Sequence, residues 1–200
     1  QFVDSQDLIN LIAPEDYWQV SAAELDAIAR YLLQEWGNTP PAFASDGLEY
    51  YSLRDALGLL AMGLYEADGR GNLPGSQEMM RFYGPLEATV PGRNVVLEAD
   101  AVIELADEIA LMMLSAEDDW QVAPGNILPS SFETEGGRIN TAQALYALAS
   151  FYAYHYAGHQ VEQIEIPNTA PIPDTYAILE SLSCWDCYDS AWSLKPAKIH

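Results

Sequence analysis

Two histidines and a glutamate form the most suggestive chemical pattern in the sequence. His155 and His159 lie four residues apart, a spacing that places both imidazoles on one helix face, and Glu162 follows about one turn later. This spacing predicts a metal site at His155, His159 and Glu162. Gly158 should end the helix between the two histidines, and Tyr156 stands where a zinc peptidase motif would carry its glutamate. His155 also continues an apolar helix face. The favoured interpretation of His155 is therefore a packed core or interfacial histidine.

The only two cysteines, Cys184 and Cys187, form a second pattern near the end of the chain. In an exported protein we expect them to close a small structural disulfide, because no other cysteine competes. Free thiols, or a zinc site shared with the two histidines, are the alternatives. The proline-containing stretch between His159 and Cys184 fits no standard zinc finger, and the pair follows a predicted helix instead of beginning one, unlike redox-active CxxC motifs.

A third pattern resembles a calcium-binding loop. Glu66, Asp68 and Asn72 place oxygen ligands at alternate positions in a glycine-rich stretch. However, Arg70 occupies a ligand position, and the acid expected at the end of the loop is displaced to Glu78. A plain glycine-rich turn is therefore favoured over a calcium site.

Motifs for catalysis are missing from the sequence. It contains no catalytic-triad motif, GxSxG elbow, phosphate-binding loop or dinucleotide fingerprint. We therefore assign no catalytic residue and expect no resident cofactor. Zinc and calcium are the two metals that the patterns above would allow. A non-enzymatic role is favoured.

Composition narrows the choice of partners. The net charge is −22 with only 8 lysines and arginines, so the surface should repel nucleic acids and anionic membranes and attract a basic protein or a cationic polymer. The alternative is that the acidic surface serves only solubility. Half of the residues are apolar, which is enough for a core, yet no apolar run is long enough to span a membrane.

The chain contains an internal sequence repeat centred on tryptophan. Residues 15–20 read EDYWQV and residues 117–122 read EDDWQV, 102 positions later. This repetition predicts two diverged copies of one unit, with Trp18 and Trp120 buried at equivalent junctions.

A second repeat has a different spacing. Residues 56–69 resemble residues 144–158 at a distance of 88 positions, 14 fewer than the tryptophan repeat. We expect the first unit to carry an extra helix over residues 24–37 to account for the difference.

Helix signals dominate the remaining pattern. Ser21 and Ser52 begin capping boxes before apolar stripes, residues 141–157 read as a buried central helix, and strand signals are confined to 94–97 and 161–166. The predicted fold is all-α: antiparallel helical hairpins in two repeat units, as an α-solenoid or irregular bundle. The units are placed at about 1–100 and 101–165. A proline-rich linker and a short C-terminal helix with the cysteine loop follow over 166–200, packed on the same domain.

The helix patterning over residues 8–109 resembles the N-terminal helical-repeat domain of bacterial secreted collagenases. The stretches LINLI, ELDAIARYL, LRDALGLLAMGLYEADG and VVLEADAVIELADEI carry the likeness. The resemblance implies a non-catalytic domain that flanks a zinc peptidase and helps to hold its substrate. The HExxH motif of the peptidase is absent here, so no catalytic residue is transferred.

The sequence thus predicts an exported, non-catalytic acidic helical domain that binds a protein or polymer partner, with its oligomeric state left open. The first alternative is a small helical metal-binding protein or enzyme that uses His155, His159 and nearby carboxylates. The second is a purely structural acidic domain of a surface or envelope protein.

The charge leads to a prediction about salt. Self-repulsion among the acids should destabilise the fold at low ionic strength, and sodium chloride should screen it, since the Debye length is about 10 Å at 0.1 M. We expect the thermal midpoint to rise from low millimolar to about molar sodium chloride. A midpoint that ignores sodium chloride and rises with millimolar calcium would contradict general screening and indicate specific ligands.

Overall fold

A computed structural model describes residues 19–78, 82, 84–85, 92–115 and 127–170 of the chain. These residues form four helices and eight short strands, and the strands pair antiparallel into four two-stranded sheets. In chain order the elements are β1 (Gln19–Ser21), α1 (Ala22–Glu35), β2 (Ala44–Ser45), β3 (Tyr50–Tyr51), α2 (Leu53–Arg70), β4 (Ser76–Glu78), β5 (Val95–Glu98), α3 (Ala99–Leu114), β6 (Ser131–Thr134), β7 (Gly137–Asn140), α4 (Thr141–Tyr156) and β8 (Gln163–Ile166).

The all-α prediction is wrong, and with it the prediction of an α-solenoid or irregular bundle of helical hairpins. Each of the four helices follows a short strand, so the fold is mixed α and β. Strands of two to four residues are too short to show a period of two, and this explains why most of them left no sequence signal. The two predicted strands, at 94–97 and 161–166, did mark real strands, since β5 and β8 pair with each other.

Local capping chemistry fixes where the helices begin. The Ser21 hydroxyl accepts a hydrogen bond from the Glu24 amide, and the Glu24 carboxylate accepts one from the Ser21 amide at 2.7 Å, which confirms the predicted capping box. Asn140 and Gln143 make the same reciprocal pair at the start of α4. Each of these capping residues is also the last residue of a strand, so side-chain hydrogen bonds stabilise the junction between the strand and the helix that follows.

The described residues contain two units with the same element order. Residues 19–78 and 95–166 each run strand, helix, hairpin, helix, strand, and in each the first strand pairs with the last. The hairpin registers agree, because Ala44 pairs with Tyr51 and Phe132 pairs with Ile139, a constant shift of 88 positions. The first helices start after Ser21 and Glu98, a shift of 77 positions.

This duplication corrects part of the sequence interpretation. The apolar repeat 88 positions apart corresponds to the equivalent helices α2 and α4. The expected extra helix over residues 24–37 is wrong, because it is α1 and its counterpart is α3. Trp18 and Trp120 lie outside the described residues, so their burial stays a prediction. The domain limits of 1–100, 101–165 and 166–200 also stay a prediction.

The core lies where the second helix of each unit meets the other unit. Helices α2 and α4 pack against each other, α1 covers α4, and α3 covers α2, so each first helix lies on the second helix of the opposite unit. A Cβ placed on Gly63 of α2 would come within 2.8 Å of Cε2 of Tyr152, which is fully buried in α4. Glycine at position 63 therefore permits the close approach of α2 and α4.

Replacing Gly63 with alanine tests this contact. Alanine gains helix propensity, but its methyl group must displace a buried ring, so we expect Gly63→Ala to lower the free energy of unfolding by about 1–2 kcal/mol. Gly69→Ala, in the same helix, is the matched control, because a methyl group at position 69 would meet no atom within 4 Å. We expect it to stabilise by about 0.5 kcal/mol. Urea unfolding measures both, and equal effects would contradict the close contact.

Candidate functional site

The structure does not bring the two predicted histidine ligands together. His155 lies in the last turn of α4, whereas His159 follows Gly158, which has a φ of 72° and turns the chain away. The side chain of His155 stacks on Phe151 and borders a cavity of about 220 Å³ with Asp68, while His159 borders a different groove. The helix therefore ends before His159, so the two histidines do not share the helix face that their spacing predicted.

The remaining predicted metal ligands are also dispersed. Glu162 is exposed in the bend before β8, and its carbonyl oxygen accepts a hydrogen bond from the Ala99 amide. Glu66 and Asp68 lie on α2, with Asn72 exposed beyond the helix end, so the calcium-like stretch begins as helix and not as a loop. Among residues 19–78, 92–115 and 127–170, no group of three histidines or acids is placed to hold a metal ion. Cys184 and Cys187 lie outside the described residues.

A cluster of carboxylates lies between α2 and α3. The pKa of Asp107 is raised above its ordinary 3.8, mainly by partial burial and then by the neighbouring charges of Asp68 and Glu104. One carboxylate oxygen of Asp107 is buried and has no hydrogen-bond partner within the described part of the chain. This arrangement destabilises the ionised form of Asp107.

The most distinctive surface feature is an aromatic patch made of Tyr31, Phe43 and Tyr50. The rings of Tyr31 and Phe43 stack with centroids 5.8 Å apart, and those of Phe43 and Tyr50 meet edge to face at 4.8 Å. Phe43 is 38% exposed and Tyr50 is 46% exposed. Three contacting rings are therefore partly exposed together at the surface, and exposed apolar clusters are often interaction sites in proteins.

The β2–β3 hairpin that carries two of these rings is held rigid by its own polar groups. Asp46 accepts hydrogen bonds from the amides of Leu48 and Glu49, at 2.8 and 2.7 Å. The Tyr51 hydroxyl donates to the other Asp46 oxygen at 3.1 Å. Burial, followed by the charges of Asp46 and Glu49, raises the pKa of Tyr51 well above its ordinary range. The hairpin therefore presents the patch in one preset geometry.

One carboxylate lies near the aromatic patch, and two more belong to the turn of its hairpin. The pKa of Tyr31 is raised first by partial burial and then by the nearby carboxylate of Glu35. Asp46 and Glu49 lie in the turn that precedes Tyr50, and their carboxylates accept from the Tyr51 hydroxyl. Among these acids, Glu35 is the one whose charge acts on a ring of the patch.

The second unit shows that the fold does not require these aromatic residues. The counterparts of Tyr31, Phe43 and Tyr50, by the shifts of 77 and 88 positions, are Glu108, Ser131 and Arg138. There, the Arg138 guanidinium donates to the Ser131 hydroxyl at 2.9 Å in place of a contact between rings. The same backbone therefore accommodates polar residues at these positions.

A groove between α1 and α4, of about 450 Å³, is the second feature. Tyr146 borders it and also borders an adjoining groove of about 420 Å³ beside the β5–β8 sheet. The Tyr146 ring is held by an edge-to-face contact with Trp36 at 5.1 Å, and Trp36 in turn donates to the Thr169 hydroxyl. The polar residues that line the groove are Arg30, Ser150, Tyr154 and His159.

Comparison with known proteins gives no match: no family model, no curated protein and no solved structure matches the chain. The resemblance to the helical-repeat domain of secreted collagenases therefore stays a prediction. None of the described helices has both the length and the apolar content needed to cross a membrane.

Sequence reasoning missed the aromatic patch. Its members are spread over residues 31–50 and come together only when α1 packs beside the hairpin. One usable signal was the Asp46-Gly47 pair between Phe43 and Tyr50, a combination typical of hairpin turns. That signal would have placed Phe43 and Tyr50 close together, but it says nothing of Tyr31.

The raised pKa of Asp107 predicts a pH-dependent effect of its removal. A carboxyl group with a raised pKa in the folded state favours folding when protonated, and this contribution is lost as the pH rises through its pKa. Asp107→Asn should therefore stabilise the fold at pH 7, and the gain should vanish below about pH 3.8.

Thermal unfolding across this pH range measures the effect. Asp100→Asn is the control on the same helix, because Asp100 is exposed in the first turn and its charge favours the helix N-terminus. It should be neutral or slightly destabilising at pH 7. A destabilising Asp107→Asn at pH 7 would contradict the unfavourable placement of that carboxylate.

Proposed function

We propose that the chain is a non-catalytic binding module that holds a basic protein segment or a cationic polymer on its aromatic patch. The single observation that carries this proposal is the exposed, preset cluster of Tyr31, Phe43 and Tyr50. Surface aromatic clusters of this kind are costly to leave in water and are typical of interaction sites.

The internal comparison between the two units supports a functional origin for the patch. If the hairpin needed aromatic residues for stability, the equivalent hairpin would be expected to carry them as well. It carries Ser131 and Arg138 instead, with the same strand register. The aromatic side chains of the first unit are therefore best explained by what they bind.

Electrostatics support a cationic occupant. Lysine and arginine side chains bind ring faces through cation–π interactions worth about 0.5–1 kcal/mol each at exposed sites. The Glu35 carboxylate near Tyr31 adds to this attraction, and the net charge of −22 draws basic partners toward the surface. Rings and carboxylates together favour a guanidinium or ammonium group over an anionic or purely apolar ligand.

The proposal places this binding module outside the cytoplasm, and the export of the chain stays a prediction. A purely structural role for the acidic surface is the competing prediction, and it differs in one respect: it requires no specific contact at the aromatic patch.

Affinity for a short oligoarginine peptide tests the proposal. The double variant Phe43→Ser/Tyr50→Ser removes two rings without changing charge, and one of its serines is the residue that the second unit uses. At about 0.15 M salt we expect its dissociation constant, measured by calorimetry, to be about tenfold weaker than that of the parent protein.

The matched control is Leu111→Ser/Leu114→Ser, which removes two exposed apolar side chains from α3. Its affinity should stay within about twofold of the parent protein. If both double variants bind oligoarginine as tightly as the parent protein, attraction is due to overall charge alone and the patch is not the binding site.

A further inference from the structure

The groove between α1 and α4 contains polar groups that the proposed function does not use. It is bordered on the α1 side by Arg30 and Leu33, and on the α4 side by Tyr146, Ser150 and Tyr154, with His159 beyond the helix end. Its volume of about 450 Å³ lies within the range typical of small-molecule sites.

Ser150 is the most informative of these groups. The residue is only 6% exposed, it borders the groove, and no hydrogen bond joins its hydroxyl to another residue in the described part of the chain. The hydroxyl oxygen itself is not one of the fully buried unpaired polar atoms of the described residues, so it opens onto the groove, where water or a bound group can hydrogen-bond to it. Its position allows a ligand in the groove to supply that partner.

Arg30 supplies unused donors at the same groove. Its Nε donates to Asp26 at 2.7 Å, which anchors the guanidinium while leaving the two terminal nitrogens outside that bond. The side chain is 56% exposed, so these nitrogens are accessible. A planar guanidinium fork of this kind pairs well with carboxylate or phosphate oxygens.

The groove also concentrates scarce basic side chains. The sequence has only 8 lysines and arginines and 3 histidines against 30 acids, yet Arg30 and His159 border one cavity. Between them the lining is apolar, from Leu33, the Tyr146 ring and Ala153. A groove that combines donors for an anion with an apolar lining is suited to an amphiphilic ligand, with an anionic group at one end and an apolar part at the other.

We infer that the groove between α1 and α4 binds an anionic group, carboxylate or phosphate, carried on an aromatic ring or a short apolar chain. The terminal nitrogens of Arg30 pair with the anion, and the Ser150 hydroxyl donates to it or to an adjacent oxygen. Tyr146, Leu33 and Ala153 pack against the apolar part. This site is independent of the aromatic patch, which selects for the opposite charge.

Asp26 moderates the affinity of the site. One carboxylate oxygen of Asp26 pairs with Arg30, and the other is buried without a hydrogen-bond partner among the described residues, so the carboxylate lies beside the guanidinium that holds the anion. Asp26→Asn removes the carboxylate charge and should strengthen anion binding. This gain of function separates specific binding from general damage to the fold.

Matched small probes test the inference. Phenylacetate and phenyl phosphate are titrated into isotope-labelled protein with phenylacetamide as the neutral control, and amide resonances are followed by NMR. We expect saturable shifts at Ser150, Tyr154 and Ala157 with at least one anion, and affinity at least about tenfold weaker for the amide. The two anions identify whether carboxylate or phosphate is preferred. No saturable shift with either anion, or equal binding of phenylacetamide, would overturn the site.

Variants localise the binding. Arg30→Gln should weaken the preferred anion about tenfold, while Arg138→Gln, which removes the same charge from the β6–β7 hairpin, should leave it unchanged. Ser150→Leu should fill the groove and abolish binding, and Ser150→Ala provides a milder version if the leucine variant does not fold. Equal effects of Arg30→Gln and Arg138→Gln would show that binding reflects overall charge and would overturn the site.

Discussion

The close contact between α2 and α4 at Gly63 and Tyr152 is the constraint on which the rest of the structure depends. The Tyr152 ring fills the space that a side chain at position 63 would need, and its hydroxyl reaches the Ala22 carbonyl at 3.5 Å at the start of α1. Because α2 and α4 are buried on nearly all sides, neither can be covered within its own unit. Each is therefore completed by the first helix of the opposite unit.

Because the core is formed by α2 and α4 and the helices that cover them, the side chains of the hairpins and of the outer faces of α1 and α3 can differ between the two units. The β2–β3 and β6–β7 hairpins share one register, yet one presents Phe43 and Tyr50 and the other Ser131 and Arg138. Duplication thus supplies two copies of a scaffold whose surfaces have diverged while the buried helices stayed alike. The aromatic patch lies on such a variable surface, which is why its chemistry differs from that of the core.

The sequence predicted the helices better than the sheets or the site. Capping residues and apolar periodicity located α1 and the buried helix α4 to within a residue or two, because both signals are local. The three-residue strands β1 and β4 pair across the length of the first unit, and no local pattern marks them. The helix ends before His159, as Gly158 indicated, so the four-residue spacing of the two histidines does not give them a shared helix face. The aromatic patch joins residues from a helix and a hairpin, so it requires the tertiary fold.

The central claim is that the first unit, and not the second, binds cationic partners through its aromatic ring cluster. Mapping oligoarginine onto isotope-labelled protein by NMR tests it most directly, since both units are observed in one titration. The account predicts saturable shifts of the ring and amide signals of Tyr31, Phe43 and Tyr50, with little change at the equivalent Glu108, Ser131 and Arg138. Shifts distributed equally over the two units, following only the density of acids, would contradict it.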